Sequence, residues 1–202
     1  MAETPGESRR AVALAGHLGD ETTARSGLTD RDPVVRATAL GALARLGGLT
    51  FGDVSAAAHD PDPRVRARAA EVAVPFGERS RPLLVGMLTD KDARVTESGC
   101  FALGEIGLDA APAVPELGAV ARDHPDALCR EAAVAALGAV GAPPGLPAIL
   151  AATSDKPAVR RRAVLALAPF SGPEVDAALE RALADRDWQV RQAAEDLTGR
   201  QG

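Results

Sequence analysis

The sequence predicts an all-α fold, a solenoid of paired helices, and three observations carry that expectation. One phrase of 18 residues returns six times along a chain of 202. Within each copy the apolar residues recur at helical spacing. The residue supply also suits closely packed helices: 43 residues are Ala, aromatics make up 2%, and there is no Tyr and a single Trp. A β-sandwich draws on aromatic and β-branched side chains, whereas Ala has the highest intrinsic helix propensity.

The phrase reads DRDPVVRATALGALARLG at 30–47, DPDPRVRARAAEVAVPFG at 60–77 and DKDARVTESGCFALGEIG at 90–107. It returns as HPDALCREAAVAALGAVG at 124–141, SDKPAVRRRAVLALAPFS at 154–171 and DRDWQVRQAAEDLTGRQG at 185–202. The copies are offset by 30, 30, 34, 30 and 31 residues, the longest step coming from an insertion around 109–115. Units of this length that bury one another's apolar faces stack into a solenoid.

In chain order, residues 1–7 are expected to be disordered and 8–202 to form one repeat domain. The segment 8–19 reads as an inner helix without an outer partner, a half-repeat that caps the array. Outer helices are expected near 20–29, 51–59, 79–89, 112–123, 144–153 and 173–184. Pro82, Pro115 and Pro147 sit near outer-helix starts, where a missing amide is tolerated. The inner helices are the phrase itself. In the first copy Asp32 caps the start and Pro33 takes the first helical position. Val35, Ala39, Leu43 and Leu46 then fall on one face, and Gly47 ends the helix. The same plan predicts helices from Asp62-Pro63 to Gly77 and from Ala127 to Gly141.

Charge and processing signals narrow the class. Lys and Arg total 23 against 28 Asp and Glu, a net charge of −5, and 46% of residues are hydrophobic. A general nucleic-acid binder is therefore not expected. No apolar run of membrane-spanning length occurs. The opening MAETPGESRR lacks the apolar core of a secretion signal. A soluble cytoplasmic protein is the default expectation. Cys100 and Cys129 lie inside helical patterns among apolar residues, so they are expected to be buried, reduced thiols.

The phrase D-x-D-x-x-V-R-x-x-A-x-x-A-L-G-x-x-G closely resembles the HEAT repeat, most of all its short bacterial form, the PBS-lyase-like HEAT repeat. The likeness covers about 8–202. It implies a right-handed α-solenoid of the armadillo type, with about six helical pairs and the N-terminal half-repeat. It also implies that the repeated Asp and Arg join neighbouring repeats in a ladder. Asp30 and Arg36, Asp60 and Arg66, and Asp185 and Arg191 match fully. Asp90, Arg130 and Arg160 match in part, because Thr96, His124 and Ser154 stand where the pattern has Arg, Asp and Asp. Proteins with such repeats are mostly interaction scaffolds, with a few lyases and DNA glycosylases among them, so the likeness alone does not give a function.

Signatures of chemistry are not found. His17, His59 and His124 are isolated from one another, and none has a Cys, His or carboxylate at metal-ligand spacing. No nucleophile elbow, Walker or dinucleotide fingerprint appears. Cys100 aligns with Leu40 and Cys129 with Val35, both packing positions. The expectation is therefore no catalytic residue, no metal and no cofactor.

The inner-helix positions pointing away from the packing face then become the best functional pointer. They carry mixed charge: Arg45, then Arg68 and Glu71, then Glu97, Phe101 and Glu105, then Glu131, then Arg161 and Arg162, then Gln192, Asp196 and Arg200. No basic stripe runs through them. An aromatic among acidic and small residues is what a partner-anchoring spot looks like, with Gly104, Ala135 and Gly138 leaving room beside it. The opposing possibility is that Phe101 folds under a neighbouring helix and the charges merely solvate the surface. Trp188 replaces a helix-starting Pro and is expected to shield the open end of the core. The leading expectation is a non-enzymatic scaffold binding a peptide or helix of an unidentified protein on its concave surface. Neither nucleic acid nor membrane is an expected partner. The alternatives are a bilin-lyase-like enzyme or enzyme subunit and, behind it, a DNA-binding protein of the same repeat class.

Overall fold

The computed structural model describes residues 5–199 and, among them, holds helices and no strand. Residues 1–4 and 200–202 lie outside the described part. The expected disordered start thus falls partly outside it, and residues 5–7 are helical. The chain divides into two compact units, Met1–Gly99 and Cys100–Gly202.

In the first unit α1 (Pro5–Leu18) stands alone as the half-repeat. Two helical pairs follow, α2 (Glu21–Ser26) with α3 (Pro33–Leu46) and α4 (Phe51–Ala57) with α5 (Pro63–Ala73). The short α6 (Arg81–Met87) then leads into α7 (Ala93–Ile106), a continuous helix that the boundary crosses. The second unit holds the end of α7 and three pairs: α8 (Val114–Asp123) with α9 (Ala127–Val140), α10 (Leu146–Ala152) with α11 (Pro157–Ala166), and α12 (Pro173–Leu183) with α13 (Trp188–Thr198). The six pairs and the half-repeat are those of an α-solenoid repeat.

Each inner helix starts as its sequence dictates. The carboxylates of Asp32, Asp62, Asp92, Asp126 and Asp187 each accept the backbone N–H two residues on, at 2.8–3.0 Å. That satisfies a first-turn amide with no partner inside the helix. α11 departs from the rule: Lys156 precedes it and makes no side-chain cap. Pro82, Pro115 and Pro147 each occupy the second position of an outer helix, as expected.

Two inner helices stop before the phrase does. The phrase places a helix through Gly77, but α5 ends at Ala73 and continues as 3₁₀ turns over Val74–Ser80. Pro75 lacks the amide that would reach back one turn, and its ring crowds the preceding carbonyl. Pro169 has the same effect on α11, which stops at Ala166. Helices without that Pro run further, and α3 and α9 end in left-handed Gly47 and Gly141 at φ 71° and 64°. Only Gly takes that conformation freely.

Packing follows the periodicity. Val35, Ala39 and Leu43 are fully buried on α3, as are Leu137 and Ala133 on α9. The outer helices answer with Val54, Leu84, Leu117 and Ile149, all fully buried. Cys100 and Cys129 are buried free thiols, in the positions their alignment assigned. Gly104 and Gly138 correct the sequence reading. They do not leave room for a ligand but let helices touch: a methyl at Gly138 would stand 2.7 Å from the Cα of Ala166, and one at Gly104 3.1 Å from the Cα of Ala136. Trp188 is a second correction. Its side chain is 64% exposed and does not shield the core end. It starts α13, and side chains there tilt back off the end of the helix. The core end is built instead from Val164, Ala182, Val190, Ala193 and Ala194.

The Asp–Arg ladder is present, and its geometry shows how the phrase works. Arg36 grips Asp60 with Nε and Nη2, both at 2.7 Å. Arg66 grips Asp90 in the same way, at 2.7 and 2.8 Å. In the second unit Arg130 grips Asp155 at 2.7 and 2.8 Å, and Arg160 grips Asp185 at 2.9 and 2.8 Å. Each Arg therefore reaches the first Asp of the following repeat. Its Nη1 meanwhile donates to backbone carbonyls of its own repeat, such as Asp60 O for Arg66. The bidentate fork suits a planar carboxylate. Asp155 was missed in the sequence because it lies one residue beyond the aligned Ser154.

The ladder has ends and one gap. Asp30 has no Arg among the described residues, and its carboxylate accepts the N–H of Asp32. Among the described residues Arg191 donates to the carbonyls of Asp185 and Arg186 and to no carboxylate. At the gap Thr96 and His124 stand where the phrase has Arg and Asp. Thr96, fully buried, faces the carbonyls of Met87 and Asp90 at 3.5 Å. His124 takes over the local role of the missing Asp: its Nδ1 accepts the Asp126 N–H at 3.1 Å.

Candidate partner-binding faces

The exposed faces of the inner helices are the places where repeats differ most. Framework positions recur: Val35, Val65, Val95, Cys129, Val159 and Val190 are equivalent and all buried. Face positions change charge and size from repeat to repeat.

Along α7 the face is acidic and aromatic around Phe101, and on α11 it carries Arg161 and Arg162. Phe101 is 51% exposed, which removes the possibility that it folds under a neighbouring helix. Glu97 precedes it by one turn on α7 and Glu105 follows by one turn, the latter exposed. Ala135 occupies the position equivalent to Phe101 on α9. Glu131 pairs with Arg162 of α11 at 3.4 Å. The Arg162 Nε is buried without a hydrogen-bond partner. Arg161 is half-buried on the same turn. Leu128, at the start of α9, is a second large apolar side chain left 59% exposed, and the sequence does not single it out.

In the first unit the face is basic. A concavity of about 520 Å³ opens along α1, α3 and α5. Arg9, Arg45, Arg64 and Arg68 contribute to its walls, and Glu71 is the one carboxylate in its lining. The sequence places Arg45 and Arg68 on this face but does not show Arg9 and Arg64 beside them, for two reasons. α1 was treated only as a cap, although its Arg9 aligns with the outward position of Ala37. Arg64 sits one residue before the packing Val65, outside the positions scanned for the face.

The ladder carboxylates carry the main electrostatic signature. The Arg66, Arg130 and Arg160 guanidiniums hold Asp90, Asp155 and Asp185 below the usual value of 3.8, against a smaller upward push from burial. At Asp60 burial is the largest influence and acts upward, but Arg36 and the Asp62 amide together outweigh it. Asp62 is pulled down to about 2, chiefly by its hydrogen bonds from Arg64. Among the described residues no group of three His, Cys, Asp or Glu is placed to hold a metal ion, and no helix is long and apolar enough to cross a membrane.

Similarity to known proteins agrees with this architecture. The family model of HEAT repeats matches residues 53–138 and 114–197. An engineered protein of known crystal structure superposes with a TM-score of 0.66 at 19% identity, covering 90% of this chain and 96% of that one. The Escherichia coli protein YIBA gives 0.68 at 18% identity over 96% of this chain and 75% of its own. A chain of the CpcE–CpcF complex of phycocyanin lyase from Nostoc sp. PCC7120 gives 0.63 at 25% identity, over 89% and 76%. None of the curated proteins matches. With the family model spanning most of its length, and with helical pairs joined by the Asp–Arg ladder, the chain belongs to the HEAT-repeat family.

Proposed function

We propose that the chain is a non-enzymatic scaffold that binds a peptide or helix of a protein partner on the exposed faces of its inner helices. The observation that carries this is Phe101, 51% exposed between Glu97 and Glu105 on α7. An aromatic ring held in water on a rigid helix loses little conformational freedom when a partner covers it. Carboxylates around it favour a cationic partner and speed its approach. The preferred ligand is thus a basic segment with one apolar anchor. The likeness to a phycocyanin lyase complex keeps an enzyme subunit as the alternative.

The test is binding of Lys-rich peptides, with and without an apolar anchor residue, to the protein and to its Phe101→Ala variant. Truncating a central aromatic hot spot costs at least about 2 kcal/mol, or some thirtyfold in affinity. The expected result is that loss for the anchored peptide and little change for the anchor-free one. Equal binding of the anchored peptide to both proteins overturns the role of Phe101.

A further inference from the structure

The concavity along α1, α3 and α5 is built to hold negative charge. Its floor consists of small residues such as Ala13, Ala37 and Gly41. Gly16 and Gly41 let arginines lie across the helices. A methyl at Gly41 would collide with the Arg68 guanidinium, and one at Gly16 would come within 2.9 Å of the Arg45 Nη1. Two of the cations are already paired: Arg68 with Glu71 at 2.5 Å, and Arg64 with Asp62 at 2.9 Å. Arg9 and Arg45 make no ion pair among the described residues. Two free guanidiniums thus stand at one concave surface of a protein whose net charge is −5.

We propose that this groove binds a short acidic peptide segment, with carboxylates seated on Arg9 and Arg45. Guanidiniums present fork-shaped donors that match carboxylates. The two free guanidiniums come from successive inner helices, Arg9 from α1 and Arg45 from α3, so an extended segment crossing both meets them in turn, which a single small anion does not. A polynucleotide fits less well. Its backbone needs an unbroken row of cations, and Glu71 interrupts the wall. The concavity lies in the size range of sites that enclose one ligand segment. The groove is independent of Phe101 and prefers the opposite charge.

Fluorescence anisotropy with a short labelled Glu-rich peptide tests the proposal on the whole chain. A Lys-rich peptide, inorganic phosphate and a single-stranded oligonucleotide serve as comparisons. The Glu-rich peptide is expected to bind, and to bind more weakly as salt rises. The double variant Arg9→Glu/Arg45→Glu is expected to lose at least about tenfold in affinity. Arg45→Gln, a milder change, is expected to lose less. Gly41→Ala is expected to weaken binding a few-fold by unseating Arg68, while Phe101→Ala leaves it unchanged. The proposal is overturned by any one of four results: no binding of the Glu-rich peptide, affinity unchanged in both Arg45 variants, tighter binding of the oligonucleotide, or displacement of the peptide by an equal concentration of phosphate.

Discussion

The two units use one framework to present opposite faces. In both, Arg reaches Asp of the next repeat through a bidentate pair, Arg36 and Arg66 in the first unit and Arg130 and Arg160 in the second. Outward from those rungs the first unit shows Arg9, Arg45, Arg64 and Arg68 around one concavity, whereas the second shows exposed Phe101 and Glu105 and, further along, Arg161 and the Glu131–Arg162 pair. The difference teaches where information sits in a repeat protein. Positions that join repeats are held by packing and charge pairing, so the same residue recurs. Positions on the open face answer to no neighbour and are free to specialise.

The largest effects are expected where that framework is cut. Arg66 and Arg160 are 7% and 6% exposed, and removing either strands a carboxylate at a repeat junction. Arg66→Ala and Arg160→Ala should each cost about 3 kcal/mol in urea denaturation. A rung in one unit that costs several times more than its equivalent in the other would break the claim of a shared framework. The rungs also set the acid response. Their carboxylates titrate below 3.8 when folded, so their contribution is complete above about pH 4 and is lost as pH falls through the folded values. Stability measured against pH should fall on the acid side, and Arg66→Ala should flatten that slope.

A pair of glycine substitutions separates framework from face. Gly138→Ala drives a methyl against the Ala166 backbone and is expected to cost about 1–3 kcal/mol. Gly41→Ala meets only the movable end of Arg68, and the helix gains up to about 1 kcal/mol from losing a glycine. Equal destabilisation by both would place Gly41 in the framework. Smaller again is Phe101→Ala, expected to cost about 1 kcal/mol or less because half the ring is already in water. Arg191→Ala removes bonds to two carbonyls alone and should cost about 1 kcal/mol at most, well short of Arg66→Ala.

The framework was legible in the sequence because it repeats. The recurring phrase located every inner helix, even α11, which lacks the Asp cap and the glycine stop, and the burial of Cys129 in the Val35 column followed from alignment alone. What was not legible depended on single residues that break the phrase. Pro75 shortens α5, which the period does not announce. Asp155 replaces Ser154 as a rung because a carboxylate one residue later still reaches Arg130. Trp188 reads as a lid by size, yet its place in the first turn turns it outward. The basic groove escaped because it joins residues from α1, α3 and α5 that no one helical wheel contains.

A crossed titration tests the central contrast most directly. A Glu-rich peptide and a Lys-rich peptide with an apolar anchor are each titrated against the protein, Arg9→Glu/Arg45→Glu and Phe101→Ala. The expected result is a double dissociation: the arginine variant loses the acidic peptide by at least about tenfold and keeps the basic one, and the Phe101 variant does the reverse. Loss of both peptides in the same variant, or of neither in both, would contradict the assignment of two faces with opposite charge preference.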